Sequence, residues 1–348
     1  MNGKGGTMMR IVFDAKRYFH NSRGLGNYSR DVVRLIREYA PDWEVVLMDK
    51  SGLSRSFMNI PPCNIYHGLS GELPFTIGRS SARSVVTMHD AIFIRYPELY
   101  SPTYRWLFTQ KVRFACKAAD TIIAISEQTK RDMIDFFHAD EKKIQVVYQG
   151  CNNRFREPIA DAQIDVVRER YDLPADYVLF VGAMEPRKNL KNLVRAMATA
   201  KVGLPLVAIG GHSRYADEAA QLARQLGVTL LLRHDIPFTD FPPIYKGAQV
   251  LCYRALFEGF GIPILEAMCV GTPVLTSTGS CFAETGGEAA LYADPLSVEE
   301  IAHNLHRTLS DTSLRQQMIE KGYLQASKFT DEHVAHNLIQ LYESVAQR

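Results

Sequence analysis

Short apolar runs alternate with stretches of helical spacing along almost the whole chain, the pattern of parallel α/β domains. In the first half the runs are RIVFDA (10–15), EVVLMD (44–49), CNIYHG (63–68), SVVTMH (84–89), TIIAIS (121–126) and IQVVYQ (144–149), with helical spacing over 27–39, 102–118 and 127–137. The second half repeats the rhythm with YVLFVG (177–182), LPLVAIG (204–210), TLLLR (229–233), AQVLCY (248–253), TPVLTS (272–277) and AALYAD (289–294). Helices fit there over 189–200, 215–226, 240–247, 263–270, 297–309 and 312–327. Residues 152–176 hold Pro158, Pro174, much charge and no apolar strand, so they read as a linker. The pattern predicts two doubly wound domains, 1–165 and 170–330, with a last helix over 331–346 carrying residues 331–348 back to the first. Such sheets bind ligands beyond the carboxyl ends of their strands, and a cleft between two domains is the default site.

Composition changes this picture little. A chain of 348 residues suits two domains of about 150 each, and 46% apolar residues are ample for two cores. Net charge is +2, too small for a dedicated nucleic-acid binder. It hides an asymmetry: residues 1–160 carry 23 Lys+Arg against 16 Asp+Glu, and the remainder 17 against 22. A basic first half suits an anionic substrate or surface, and solvated faces account for it equally well. Six cysteines without a C-x-x-C pair, several inside apolar runs, read as reduced buried thiols of a cytoplasmic protein. No run approaches the ~18 apolar residues of a membrane span, and MNGKGGTMMR lacks the apolar core of a signal peptide. Met8 and Met9 are alternative starts to Met1. The expected location is the cytoplasm, at most the inner face of the membrane.

The most informative stretch is FEGFGIPILEAM, 257–268. Pro263 suits the start of a helix, and Gly271 with Pro273 supplies its stop, so a helix over 263–270 has Gly259 and Gly261 at its mouth. Glycines let a backbone approach a ligand closely, and a helix N-terminus favours an anion such as a diphosphate. Glu266 then falls in the first turn with its side chain leaning toward that mouth, while Glu258 enters on the loop. Either carboxylate alone could merely serve the helix dipole or the solvent. Two of them around an anion site make sense if the ligand also carries sugar hydroxyls, as a nucleotide sugar does.

The run E-G-F-G-I-P-x-L-E-A-M-x-x-G-T-P-V resembles the E-x7-E signature of family 4 retaining glycosyltransferases of the GT-B fold, whose two glutamates would be Glu258 and Glu266. VGAMEPRKNL (181–190), with Gly182, resembles the diphosphate-binding loop of that family. VTMHDAIFIRYPE (86–98) resembles its first-domain histidine segment, AISEQTKRDM (124–133) the strand and helix that follow, and GSCFAETGGEAALYADP (279–295) the run after the signature. The resemblance spans nearly the whole chain and is similar in phrasing to bacterial mannosyltransferases that build cell-surface polysaccharides. It implies two Rossmann-like domains facing a central cleft.

By this resemblance Lys188, with Arg187, would neutralise the departing diphosphate; a strand-to-helix loop with two cations is suited to that. Glu266 would hold the ribose and Glu258 the donor sugar, with Gly259, Phe260 and Gly261 offering backbone N–H groups. His89 would face the donor sugar across the cleft, and Asp90 would orient its loop. The loop 22–27, with Gly24 and Gly26, would touch the donor phosphates, placing Lys16, Arg17 and Arg23 near the acceptor. Two positions depart from the family pattern: Ala183 stands where Arg is common, leaving Arg187 as a substitute, and Ala255 where Ser is common. The implied reaction is transfer from a nucleoside diphosphate sugar, GDP-mannose favoured, to a glycan or lipid-linked glycan. Configuration would be retained by front-face attack, without metal or other cofactor, since no D-x-D pair stands where one would be needed.

Other readings compete. Gly24-x-Gly26-x-x-Ser29 opens a helix and Asp49 ends the next strand, as in NAD-dependent oxidoreductases, although a true fingerprint turns directly off its strand. A non-catalytic nucleotide-sugar or glycan-binding protein of the same fold is a second. The run from Arg95 to Arg113, with Tyr96, Tyr100, Tyr104, Arg105, Trp106, Phe108 and Lys111, mixes aromatics and cations as interfacial helices do, which would suit peripheral membrane association; half-buried packing also explains it.

Overall fold

A computed structural model describes residues 8–21, 24–50 and 52–348. These divide into two compact units, one of 1–149 with 331–348 and one of 150–330. The first holds strands β1 (Arg10–Asp14), β2 (Glu44–Met48), β3 (Ile65–Gly68), β4 (Arg83–Met88), β5 (Thr121–Ala124) and β6 (Ile144–Val146) in the order β2-β1-β3-β4-β5-β6. Every pairing is parallel, with Val12 beside Val46 and Tyr66, and Val86 beside Ile122. Helices cover both faces, which is why β3 to β5 read as unbroken apolar runs. Helices Pro102–Ala118 and Glu127–Phe137 pack Val112, Cys116, Met133 and Phe137 on one side.

The other face takes helix Gly24–Tyr39 and the returning helix Asp331–Ala346, which pack against each other and bury Val32, Ile36, Leu338 and Tyr342. Arg34 of the first helix meets Asp331 of the second at 2.8 Å. Beneath them runs a buried hydrogen-bond chain. Tyr342 Oη lies 2.7 Å from His67 Nδ1, His67 Nε2 lies 2.8 Å from Thr87 Oγ1, and Thr87 Oγ1 lies 3.0 Å from Tyr28 Oη. The C-terminal helix is thereby part of the first unit's polar core as well as its apolar one.

The second unit holds β7 (Val178–Val181), β8 (Leu206–Ile209), β9 (Leu230–Arg233), β10 (Val250–Tyr253), β11 (Val274–Ser277) and β12 (Ala290–Ala293). Their order, β12-β11-β10-β7-β8-β9, is all parallel and reverses direction between β7 and β10. That reversal is the switch point at which doubly wound sheets bind ligands.

The 152–176 segment is not a linker. It contains helix Asp161–Tyr171, packed on helix Phe241–Gly247 through buried Ile164 and Val167. Only these two positions, one turn apart in a charged segment, face the core, too few to show as periodicity. The second unit accordingly starts at Gly150, and residues 150–165, expected in the first domain, belong to it. Short helices at Lys16–His20, Gly52–Ser56, Ile92–Arg95 and Phe282–Gly286 were also not expected; each spans barely a turn. Among the described residues no helix is long and apolar enough to cross a membrane.

Candidate active site

The chemistry gathers at the switch point of the second unit. After β7 the chain runs through Gly182 into a tight turn, Pro186–Lys188, and Asn189 in a left-handed conformation (φ 65°) opens helix Leu190–Thr199. Asn189 Nδ2 is anchored on Pro295 O at 2.6 Å, past the end of β12. The turn delivers two cations to one carboxylate: Arg187 Nη1 donates to Glu258 Oε1 at 2.7 Å and Lys188 Nζ to the same oxygen at 2.5 Å. Arg187 also reaches Phe257 O and Glu185 Oε1, and Lys188 the Tyr253 hydroxyl at 3.0 Å, above whose ring it sits. The Lys188 stem lies over Gly182, where an added Cβ would meet its Cδ at 3.5 Å.

The three charged side chains are only 11–12% exposed. Burial alone would raise the Glu258 pKa; Lys188 and Arg187 together outweigh it and hold the carboxyl below its ordinary range. The Arg187 pKa is raised, because Glu258 and Glu185 outweigh its own burial. The two cations expected on a diphosphate are both turned to Glu258, so an anion binding here competes with that carboxylate for them.

Glu258 is held from behind by residues that sequence reasoning missed. Ser280, at φ 49°, accepts from the Glu258 N–H at 3.2 Å and donates to its carbonyl at 2.8 Å, and Cys281 Sγ donates to the same carbonyl. Beneath them Arg254, fully buried, donates to Thr276 O and, at 2.8 Å, to Ala293 O, clasping the ends of β10, β11 and β12. These ends carry the loops with Glu258, Ser280 and Pro295. The only signals in sequence were Ser280 within GSCFAETGG and an arginine closing an apolar strand.

Gly259, Phe260 and Gly261 are buried at the mouth of helix Ile262–Val270. Gly261 adopts φ 99°, a conformation L side chains resist, and an added Cβ would lie 3.2 Å from Ile264 Cδ1. The helix starts one residue earlier than expected, so Pro263 is its second residue and Glu266 its fifth, outside the first turn. Glu266 is nevertheless buried, accepting from the Tyr245 hydroxyl at 2.6 Å. Burial raises its pKa to about 7, with the Tyr245 hydrogen bond opposing. Phe260 packs edge-on against Phe329, and its carbonyl accepts from Thr285.

In the first unit, His89 follows β4. Its Nε2 faces Leu69 O at 2.8 Å; a carbonyl can only accept, so Nε2 carries the proton. Burial lowers the His89 pKa to about 4, leaving a neutral ring with Nδ1 as an acceptor. The Tyr28 ring stands edge-on against it at 4.7 Å, Thr129 Oγ1 donates to its carbonyl, and Asp90 accepts from the Ile92 N–H within the same loop. Arg17, after β1, lies close enough for its charge to act on both His89 and Tyr104. Lys16 is its half-buried neighbour. Arg23 lies outside the described residues, as does Met1.

Gly26 is buried inside helix Gly24–Tyr39, where an added Cβ would stand 1.7 Å from Asn21 O, so close backbone packing accounts for this glycine by itself. Gly24 is exposed at the start of that helix. Helix Lys16–His20 separates both glycines from β1, and Asp49 pairs with exposed His20 at 2.9 Å. The dinucleotide fingerprint is therefore absent in form. Among the described residues no group of three or more His, Cys, Asp or Glu is arranged to hold a metal.

Residues 165–325 match the family described as glycosyl transferases group 1, and residues 61–154 match Glycosyltransferase Family 4. The chain is 31% identical over 288 residues to O-antigen chain mannosyltransferase B of Escherichia coli, covering 80% of this chain and 74% of that protein. It is 25% identical over 344 residues to the serotype-specific mannosyltransferase WbdA of Escherichia coli, covering 94% of this chain but 40% of the relative. Among solved structures, HepE of Anabaena in complex with UDP superposes with a TM-score of 0.78 at 15% identity, over 97% of this chain and all of that one. The two Rossmann-like sheets are those of the GT-B fold, and the chain belongs to the family 4, group 1 glycosyltransferases.

Proposed function

We propose that this glycosyltransferase moves a mannosyl group from GDP-mannose to a glycan or lipid-linked glycan, with retention of configuration, in the synthesis of a cell-surface polysaccharide on the cytoplasmic side of the membrane. The mannosyl donor and the polysaccharide follow the names of the relatives. The chemistry rests on one observation: Glu258, ionised and fixed between Arg187 and Lys188 at the sheet's switch point. In this reading the donor diphosphate draws Lys188 and Arg187 toward itself, and the Glu258 carboxylate turns to accept from hydroxyls of the sugar. Gly259, Phe260 and Gly261 bring the backbone close to sugar and phosphate, Gly182 leaves room beside Lys188, and Glu266 takes the ribose hydroxyls. The first unit supplies the acceptor side, with His89 Nδ1 accepting from a sugar hydroxyl, Lys16 and Arg17 near the acceptor, and the start of helix Gly24–Tyr39 near the phosphates.

The bond from the anomeric carbon to the diphosphate oxygen breaks as the acceptor oxygen bonds to that carbon from the same face. The acceptor's proton passes to the leaving phosphate. Positive charge from Lys188, Arg187 and the helix N-terminus meets the charge growing on the diphosphate. A thermal-shift panel of GDP, UDP and ADP with their mannose and glucose esters tests the donor, followed by transfer assays with and without EDTA. Stabilisation by GDP and GDP-mannose above the others and EDTA-resistant transfer are expected; a preference for UDP-glucose overturns the donor assignment.

A further inference from the structure

The carboxyl ends of β1 and β3 flank the point where the first sheet reverses direction, the place where a doubly wound sheet offers a crevice. Here that place is filled by charge. Arg55, from helix Gly52–Ser56, donates through Nε to Asp14 Oδ2 at 2.5 Å and through Nη1 to Glu72 Oε2 at 2.7 Å. Lys111 of helix Pro102–Ala118 donates to the same Glu72 oxygen at 3.1 Å. The Arg55 and Asp14 side chains are 7% and 4% exposed, so this is a buried cluster and not a surface pair. Asp14 closes β1, and its other oxygen accepts from the Lys16 N–H at 3.4 Å. Burial alone would raise the Glu72 pKa; Arg55 and Lys111 outweigh it and keep the carboxylate charged. Breaking such a pairing would strand a charge away from water, so the chain is held firmly at Glu72.

Glu72 ends the turn that follows β3, and this turn is pinned at three successive residues. Arg55 Nη2 lies 3.4 Å from Ser70 Oγ, the Gly71 N–H donates to Thr87 O at 2.8 Å, and Glu72 takes the two cations. An added Cβ on Gly68 would strike the Glu72 carbonyl, so the turn closes tightly on the end of β3. Its first residue is Leu69, whose carbonyl takes the Nε2 proton of His89. That is the only side-chain hydrogen bond of His89 among the described residues, so this one carbonyl decides which ring nitrogen carries the proton.

We propose that Arg55 is a positioning residue for His89. Joined to β1 by Asp14 and to the turn by Glu72, it holds the Leu69 carbonyl in place, which keeps the proton on Nε2 and makes Nδ1 a fixed acceptor. Without it the Leu69–Ser70 peptide is free to rotate and Nε2 loses its acceptor. The proton then moves to Nδ1, where the ring donates instead of accepting. That Nδ1 meets a sugar hydroxyl rests on the proposed function; the control of the tautomer does not.

Nitrogen NMR of the full-length protein, labelled with isotope-enriched histidine, reports the tautomer directly, because a protonated ring nitrogen resonates apart from a bare one. His89→Gln assigns the signal among the ten histidines. The wild type should show His89 protonated on Nε2. Arg55→Met removes the partner that Asp14 and Glu72 share. Glu72→Leu cuts only the tie to the turn and keeps the Arg55–Asp14 pair, so it carries the test where Arg55→Met does not fold. In either variant the tautomer ratio should move by about tenfold toward Nδ1–H, the worth of one hydrogen bond. Transfer should fall with it by up to about tenfold, with GDP affinity within about twofold of wild type. A wild-type ring protonated on Nδ1 overturns the inference, and so does a folded variant of either kind that keeps the wild-type tautomer. A tautomer that moves while transfer stays at the wild-type rate upholds the inference and counts only against the part given to Nδ1 in the proposed function.

Discussion

Glu266 offers the sharpest test of the proposed donor site. Its carboxyl is buried with one partner, the Tyr245 hydroxyl, and its pKa is raised from an ordinary 4.5 to about 7. In the unfolded chain the group ionises near its ordinary value, so between these two limits the folded state binds more protons. The contribution of Glu266 to stability must then fall as pH rises from 4.5 to 7 and level off above, the total loss being about 3 kcal/mol at 1.36 kcal/mol per unit, against the opposite trend set by buried, neutral His89. Glu266→Gln keeps an oxygen for Tyr245 and removes the titration, so its urea stability relative to wild type should grow between pH 5 and about 7, the slopes of all other groups cancelling in the difference. Ligand binding carries the same signature. Ribose hydroxyls that donate to Glu266 favour the ionised form, and at pH about 6 a group of this pKa is about nine-tenths protonated, so nucleotide binding should release close to one proton. Calorimetry of GDP binding in buffers of different ionisation enthalpy counts that proton. The phosphate's own titration cancels in the difference from Glu266→Gln. Parallel stability curves, or equal proton release by the two proteins, would refute both the buried acid and its contact with ribose.

Lys188→Met removes one of the two cations on Glu258 and should lower single-turnover transfer by about 10²–10³ with the fold intact; a rate within about twofold of wild type sinks the role given to Lys188. Gly26→Ala would drive a Cβ into the Asn21 carbonyl, so a loss of several kcal/mol is expected, read as a lowered urea midpoint rather than as weakened nucleotide binding in a stable protein. Tyr342→Phe leaves His67 Nδ1 without its buried partner and should cost about 1–3 kcal/mol, measured by denaturation. An unchanged midpoint would show that the Tyr342–His67 bond adds nothing to what the apolar contacts and the Arg34–Asp331 pair supply.

What could be read from the sequence follows from how many residues carry each signal. β10 and β11 are runs of consecutive buried residues, and helix Pro102–Ala118 spans several turns, so period and capping mark them without tertiary information. The E-x7-E run brought Glu258 and Glu266 into view because its glycines and proline fix a local backbone as well as a chemistry. Helix Asp161–Tyr171 was hidden because two apolar contacts suffice to seat it. The partners of the site were hidden for another reason. Tyr245, Tyr253, Arg254 and Ser280 act through contacts with residues on other elements, and nothing in the spacing of a lone tyrosine or serine tells which carbonyl or carboxylate it will meet. Gly26 shows the converse: a glycine that suggested a phosphate loop is required by helix packing.

The two glutamates of the signature sit eight residues apart, yet their surroundings push their protons in opposite directions. Glu258 faces two cations that outweigh its burial and keep it charged; Glu266 faces a phenol, which cannot, and it stays near half-ionised at neutrality. The Glu185–Arg187–Lys188–Glu258 cluster is formally neutral, and Glu266 adds at most a partial charge. A diphosphate entering this site is thus not drawn by a large standing positive field. On the proposed function it exchanges places with Glu258 at the two cations, and the freed carboxylate then needs hydrogen-bond donors. A nucleoside diphosphate alone brings ribose hydroxyls, which Glu266 can accept, but none for Glu258. A nucleotide sugar brings hydroxyls for both. On the proposed function, the arrangement therefore favours the intact donor over the product nucleotide, by whatever the sugar hydroxyls return to Glu258. Glu258→Gln, whose neutral amide gives up the cations at lower cost, should narrow the gap between GDP-mannose and GDP affinity. A gap that widened, or stayed the same, would mean that Glu258 does not meet the sugar.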